Sequence, residues 1–301
     1  MACRSGTISP TRRDVLLGAA TSLFAWPARA AGAGKQPRIA AIDWAMLETA
    51  IALGVMPVAA TELIQFRSDA VEPAIPADVV DLGLRGSPNF ELLHLVRPDL
   101  ILISPFYVRH QAVLEKIAPT MSLPFYIRGE PPFEKALAAL QVLGERIGRA
   151  DEAIRVQQGI LATLDTMHRN LGRFADRPTY LVNIGDARHV RVFGADSMFG
   201  DILARLGMPN AWTDRSRFTF AAPVPIENLS VEKDARIVIV SDIPVEARSG
   251  LRNSMIWNAL EPVRQNRVLR LGNINPYGGV GAGMRFARLL AEALQAQETG
   301  G

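Results

Sequence analysis

Three short runs of almost unbroken apolar residues punctuate the chain: Arg38-Ile39-Ala40-Ala41-Ile42, Leu100-Ile101-Leu102-Ile103-Ser104 and Tyr180-Leu181-Val182-Asn183-Ile184. Continuous rather than alternating apolarity marks strands covered on both faces, the habit of parallel sheets flanked by helices. Residues 134–174 contain no proline and carry apolar residues at helical spacing. Leu137, Leu140, Leu143 and Ile147 form one stripe, followed by Ile154, Ile160, Leu161, Leu164 and Met167. Gly148-Arg149-Ala150-Asp151 interrupts the pattern, and Asp151 is the expected N-cap of a second helix of about 20 residues, roughly 30 Å long.

Part of this pattern occurs twice. Leu92-Leu93-His94-Leu95-Val96-Arg97-Pro98-Asp99 leads into the strand at Leu100, and Asn228-Leu229-Ser230-Val231-Glu232-Lys233-Asp234 leads into Ala235-Arg236-Ile237-Val238-Ile239-Val240-Ser241. Leu53-Gly54-Val55-Met56-Pro57 and Leu206-Gly207-Met208-Pro209 each end an amphipathic helix with Gly and resume with Pro. Two copies in the same order imply duplicated lobes and exclude a solenoid or propeller. The expected architecture is α/β, with an N-terminal lobe over residues 35–148, a linking helix over 149–176 and a C-terminal lobe over 177–297. A helical joint resists torsion, so little lobe movement is expected. A ligand would sit between the lobes, where the loops at strand ends converge.

Charge changes its meaning once it is located. The 301-residue chain has a formal net charge of +3, which suggests an anionic partner. Residues 1–30 read instead as an export leader, with Arg4, Arg12 and Arg13, an apolar run from Val15 to Trp26, and Ala28-Arg29-Ala30 as the cleavage site. Thr11-Arg12-Arg13-Asp14-Val15-Leu16-Leu17 resembles the twin-arginine motif, and a general secretory signal is the alternative. That leader holds four Arg and one Asp of the chain's 33 basic and 30 acidic residues, so the rest is formally neutral. Nucleic-acid binding loses its compositional support. The single cysteine, Cys3, leaves with the leader, which excludes disulfides, thiolate metal sites and a lipid anchor on cysteine. Past the leader no apolar run reaches the 18 or so residues of a membrane span, and the expectation is a soluble periplasmic protein.

Catalytic signatures are sparse. His94, His110, His168 and His189 form no zinc-protease spacing, and no G-x-S-x-G elbow occurs. Gly278-Gly279-Val280-Gly281-Ala282-Gly283 lacks the spacing of a phosphate loop. It reads either as a tight strand-to-helix entry or as small residues that let a bulky ligand approach the backbone. With export and two equal lobes, this favours a binding protein over an enzyme, with no catalytic residue and no metal ligand assigned.

Ile42-Asp43-Trp44, then Ala52 to Pro57, then Asp81-Leu82-Gly83-Leu84-Arg85-Gly86-Ser87-Pro88-Asn89-Phe90-Glu91-Leu92-Leu93 resemble the periplasmic iron(III)-hydroxamate (ferrichrome-type) siderophore-binding proteins. In the second half Arg188-His189-Val190-Arg191-Val192-Phe193-Gly194-Ala195-Asp196-Ser197-Met198-Phe199 and Leu206 to Trp212 are similar to the same family. The resemblance implies a class III periplasmic binding protein: two lobes joined by a long helix, monomeric, delivering its chelate to an ABC permease and its ATPase. It implies no cofactor, because iron arrives already chelated. Arg85 matches the family arginine that donates to the hydroxamate oxygens, Tyr107 the tyrosine opposite it, and Tyr277 a tyrosine at the cleft edge. Family cleft tryptophans are replaced by Asp69, by Thr219 beside Phe220, and by Asn275, so a more polar cleft is expected. Phe66, Phe106, Phe218 and Phe220 remain as aromatic candidates, while Trp44 and Trp212 read as core. For permease docking the resemblance implies one acid per lobe. Glu115, shifted from the matching position at Ala112, and Glu246 are the candidates. A same-fold receptor for haem, cobalamin or a catecholate is the alternative, with Tyr107 and His110 as haem-ligand types. An exported α/β enzyme using Arg85 as an anion clamp and Tyr107 as a proton donor is the rival from another class.

Overall fold

The computed structural model describes residues 36–213 and 223–299; the expected leader, Phe218 and Phe220 lie outside the described residues. The first half forms a parallel five-stranded sheet from β1 (Ile39–Ala41), β2 (Ala59–Ala60), β3 (Val80–Asp81), β4 (Leu100–Ile103) and β5 (Thr120–Ser122), in the order β3-β2-β1-β4-β5. Its helices are α1 (Trp44–Ala52), α2 (Leu63–Asp69), α3 (Phe90–Val96) and α4 (Gln111–Leu114), before the long pair α5 (Phe133–Arg146) and α6 (Ala150–Leu171). The second half builds a sheet from β6 (Thr179–Ile184), β7 (His189–Val192), β8 (Val224–Pro225), β9 (Arg236–Val240) and β10 (Val268–Leu271), ordered β10-β9-β6-β7-β8. Here β7 and β8 run antiparallel. Helices α7 (Met198–Arg205), α8 (Val245–Arg252), α9 (Met255–Ala259), α10 (Glu261–Arg264) and α11 (Val280–Thr299) complete the molecule.

The duplication is partial. Gly54 and Gly207 end α1 and α7 with φ of 74° and 77°, a left-handed backbone that glycine adopts without a Cβ penalty. A helix precedes β4, however, whereas only a 3-10 turn at Ile226–Ser230 precedes β9. The antiparallel edge is also peculiar to the second half.

The joint between halves is helical, and its break falls at Gly148 (φ +70°). Arg149, not Asp151, occupies the N-cap of α6, and its N–H bonds back to the Gly144 carbonyl at 2.6 Å. Asp151 sits in the first turn, where its charge favours the helix dipole. The buried stripe of α6 is Ala153, Val156, Ile160 and Leu164, while Ile154 and Leu161 face solvent. Packing against α5 explains the shift. A Cβ on Gly144 would come within 2.8 Å of the Ala153 methyl, so the two helices touch through their smallest residues.

One apolar cluster joins the lobes. It runs from the inner face of the first sheet (Ile39, Leu100, Leu102) through α1, α5, α6, α7 and α11 to Leu181, Val238 and Leu269 of the second. The outer faces carry separate clusters around Leu93 and Leu114, and around Trp257 and Leu260. The architecture is the expected one, two α/β lobes joined by long helices.

Candidate ligand-binding groove

Loops leaving the carboxyl ends of the first sheet bring Arg85 and Tyr107 together. Asp81 fixes the turn after β3 by accepting from the Gly83 N–H at 2.9 Å and from the Leu63 N–H at 3.1 Å. Arg85 then lies over the Trp44 ring, its guanidinium carbon 4.0 Å from the ring centroid. Glu62 accepts from the Arg85 Nε–H at 2.6 Å and from its backbone N–H at 3.0 Å. A cation on an aromatic face, anchored at one edge by a carboxylate, keeps little rotamer freedom to lose on binding. Trp44 is rigid in turn: it is buried and donates to the Thr61 carbonyl at 3.0 Å.

Tyr107 sits in a 3-10 turn, Pro105–His110, that follows β4. Burial pushes its hydroxyl above the usual tyrosine range, opposed by the charge of the neighbouring Arg85. The same turn secures the Arg85 loop. Arg109 donates to the Gly86 carbonyl at 3.1 Å, and the His110 Nε2 lies 3.1 Å from the same oxygen. His110, a haem-ligand type in the sequence, is thus engaged in holding this loop.

The opposite wall comes from the segment after β10. Tyr277 is 41% exposed and meets Tyr126 edge-on at 6.0 Å. Burial raises the Tyr277 hydroxyl, and the charges of Arg191 and then Arg85 pull it back, so guanidinium groups from both lobes act on one phenol. Phe106 and Leu84, 61% and 66% exposed, add apolar surface.

Several sequence candidates change place. Phe66 is fully buried, edge-on to Trp44 at 5.1 Å, and belongs to the core. Asn275 is 1% exposed and donates to Glu48 at 2.7 Å, so it joins the lobes and does not line a polar cleft. Glu48 also accepts from the N–H groups of Gly279 (2.8 Å) and Ala282 (3.1 Å) at the start of α11. A Cβ on Gly278 would stand 2.6 Å from both Glu48 oxygens. The glycine-rich loop therefore wraps a buried carboxylate. Glu115 is exposed and accepts from Gln111 and Thr120 at 2.7 and 2.9 Å, whereas Glu246, exposed in the first turn of α8, has no partner among the described residues.

Glu62, Glu48 and Arg191 were missed by sequence reasoning. Glu48 did leave a signal: it is one of two polar residues in the otherwise apolar Trp44-Ala45-Met46-Leu47-Glu48-Thr49-Ala50-Ile51-Ala52. Among the described residues no group of three or more His, Cys, Asp or Glu side chains could hold a metal ion, and no helix is long and apolar enough to cross a membrane.

Two lobes on a helical joint, with an arginine and tyrosines at the strand ends between them, have the layout of a binding protein. The periplasmic binding protein family matches residues 39–274, and the chain belongs to that family, as a periplasmic substrate-binding protein of an ABC transport system of the FhuD type. It is 30% identical over 292 residues to the iron(3+)-hydroxamate-binding protein FhuD of Escherichia coli, covering 96% of this chain and 98% of that one. The achromobactin-binding periplasmic protein of Dickeya dadantii is 26% identical over 80% of each chain. Among solved structures, the Fe3+-Desferal-bound siderophore-binding protein FhuD of Vibrio cholerae superposes with a TM-score of 0.81 at 22% identity, over 87% of this chain and 99% of that one.

Proposed function

We propose that the groove captures an iron(III)-hydroxamate siderophore and that the protein delivers it to an inner-membrane permease and its ATPase. The observation that carries this reading is Arg85 held over the Trp44 ring beside Tyr107. Glu62 takes the Nε hydrogen, which leaves the two Nη groups as donors for an oxygen-rich ligand. Three hydroxamates already fill the octahedral shell of iron(III) with hard oxygens, so the protein needs donors and apolar surface and supplies no metal ligand. Arg85 and Tyr107 would donate to the chelate oxygens. Tyr277, with Phe218 and Phe220 outside the described residues, would cover its flanks. The iron(3+)-hydroxamate and Fe3+-Desferal for which the Escherichia coli and Vibrio cholerae relatives are named support the same class.

The same reading assigns residues 1–30 to a leader cut near Ala30, the lobes to 35–148 and 177–297 around a linking helix at 149–176, and a single chain to the working unit. Glu115 and Glu246 would meet arginines of the permease. Tryptophan and tyrosine fluorescence, titrated with a ferric hydroxamate, its iron-free form, haem and cobalamin, tests the assignment. Saturable quenching by the ferric hydroxamate is expected; saturation by haem or cobalamin alone would overturn it.

A further inference from the structure

We propose that Arg191 is the second cationic contact of the groove and selects ferric chelates that carry a free carboxylate, an inference that rests on the siderophore reading above. Arg191 lies on β7, paired with Asn183 one residue before the end of β6. Side chains alternate along a strand, and its neighbours Val190 and Val192 enter the outer core of the second lobe. Arg191 therefore stands on the opposite face, the one whose Leu181 belongs to the core shared by both lobes. It is exposed, and among the described residues no carboxylate lies within 4.0 Å of it and no acceptor takes its hydrogens. Its charge nevertheless reaches the groove, since after burial it is the leading influence on the Tyr277 hydroxyl, ahead of Arg85.

The two arginines are not equivalent. Arg85 comes with its own counter-charge, Glu62 at 2.6 Å, and acts on the buried carboxyl of Asp43 as well. Among the described residues Arg191 has no such compensation. A ferric trihydroxamate core is electrically neutral, because three singly charged hydroxamates balance iron(III), so the core alone gives Arg191 no ionic partner. A peripheral carboxylate would give it one, through a forked, charge-assisted pair that the planar guanidinium is built to make. A peripheral ammonium would be repelled.

Ferrioxamine B provides a matched series: its terminal ammonium is made neutral by acetylation and anionic by succinylation, around one unchanged iron core. Fluorescence titration of the mature protein should rank the succinylated chelate tightest and the ammonium form weakest. Arg191→Gln should weaken the succinylated chelate by about 10- to 100-fold, the scale of one charge-assisted hydrogen bond, and leave the acetylated one within about twofold. Arg191→Lys should retain the ranking. Loss of affinity for all three alike in Arg191→Gln, or no charge ranking in the unmodified protein, overturns the role of Arg191 while the siderophore reading stands. Failure of the unmodified protein to bind any of the three removes that reading and this one with it.

Discussion

The Glu48 carboxylate of α1 accepts a hydrogen bond from the Asn275 side-chain amide, 227 residues further along the chain. A helix of the first lobe thereby grips the loop that leads into the last helix of the second. Tyr126 reinforces the contact by donating to the Gly278 carbonyl at 2.6 Å, and Glu72 does so on the surface by pairing with Arg285 and Arg288 at 2.6 and 2.8 Å.

Burial raises the Glu48 carboxyl from 4.5 to about 7, against the pull of its three N–H donors and with a further push from Asp43. In the folded chain it keeps its proton at pH values where the unfolded chain has lost it. The stability it contributes is therefore fully present below about pH 4.5 and is lost as pH rises toward 7. That interval corresponds to about 3 kcal/mol, as an order of magnitude. Denaturant melts between pH 4.5 and 8 should show a fall in stability that Glu48→Gln flattens; an equal fall in the variant would place the titration elsewhere. Glu48→Ala, which strands three donors, should be destabilised throughout, by about 1–3 kcal/mol for each donor left buried without a partner.

Gly278→Ala separates the two sequence readings of the glycine-rich loop. The added Cβ would lie 2.4 Å from the Ala282 Cβ and 2.6 Å from Glu48. Those atoms belong to the joint, so thermal melts should show a loss of about 1–3 kcal/mol, the usual cost of overpacking. A variant of unchanged melting temperature with weakened chelate binding would restore the loop to the ligand.

What the sequence made legible follows from the range of each signal. Strands such as Leu100–Ile103 and Arg236–Val240 announce themselves because burial on both faces demands consecutive apolar residues. The two-residue strands Ala59–Ala60 and Val80–Asp81 are too short for any period to register. Arg85 and Tyr107 were visible only through their motif context. Glu62, the partner that fixes Arg85, lies 23 residues away in a segment with no pattern of its own. Phe66 reads as a cleft candidate because an aromatic on a short helix looks the same from sequence whether it faces a ligand or packs on Trp44.

Arg85 and Glu62 should part company when each is removed. Arg85→Ala deletes the donor and should weaken chelate binding by about 1.5–3 kcal/mol, the scale of a hydrogen bond to a charged partner. Glu62→Gln leaves the guanidinium on Trp44 but removes its counter-charge and one of the two acceptor oxygens, and should cost less than Arg85→Ala in the same titration. An Arg85→Ala variant of unchanged affinity would exclude the arginine from the contact.

The shared core sets the amplitude of any closure. A hinge opens readily where lobes meet through a few crossing strands, because only those backbones rotate. Here rotation would have to separate α1 from α11, which pack in one cluster with α5, α6 and α7, and to pull Glu48 off its three donors. Small-angle scattering with and without a ferric hydroxamate should therefore change the radius of gyration by less than about 1 Å, the range of preorganised complexes. Spin labels at two exposed sites, one per lobe, should likewise report nearly the same distance in both states. A shift of several ångströms would mean that the joint yields where its packing predicts stiffness, and that ligand capture includes a closing step.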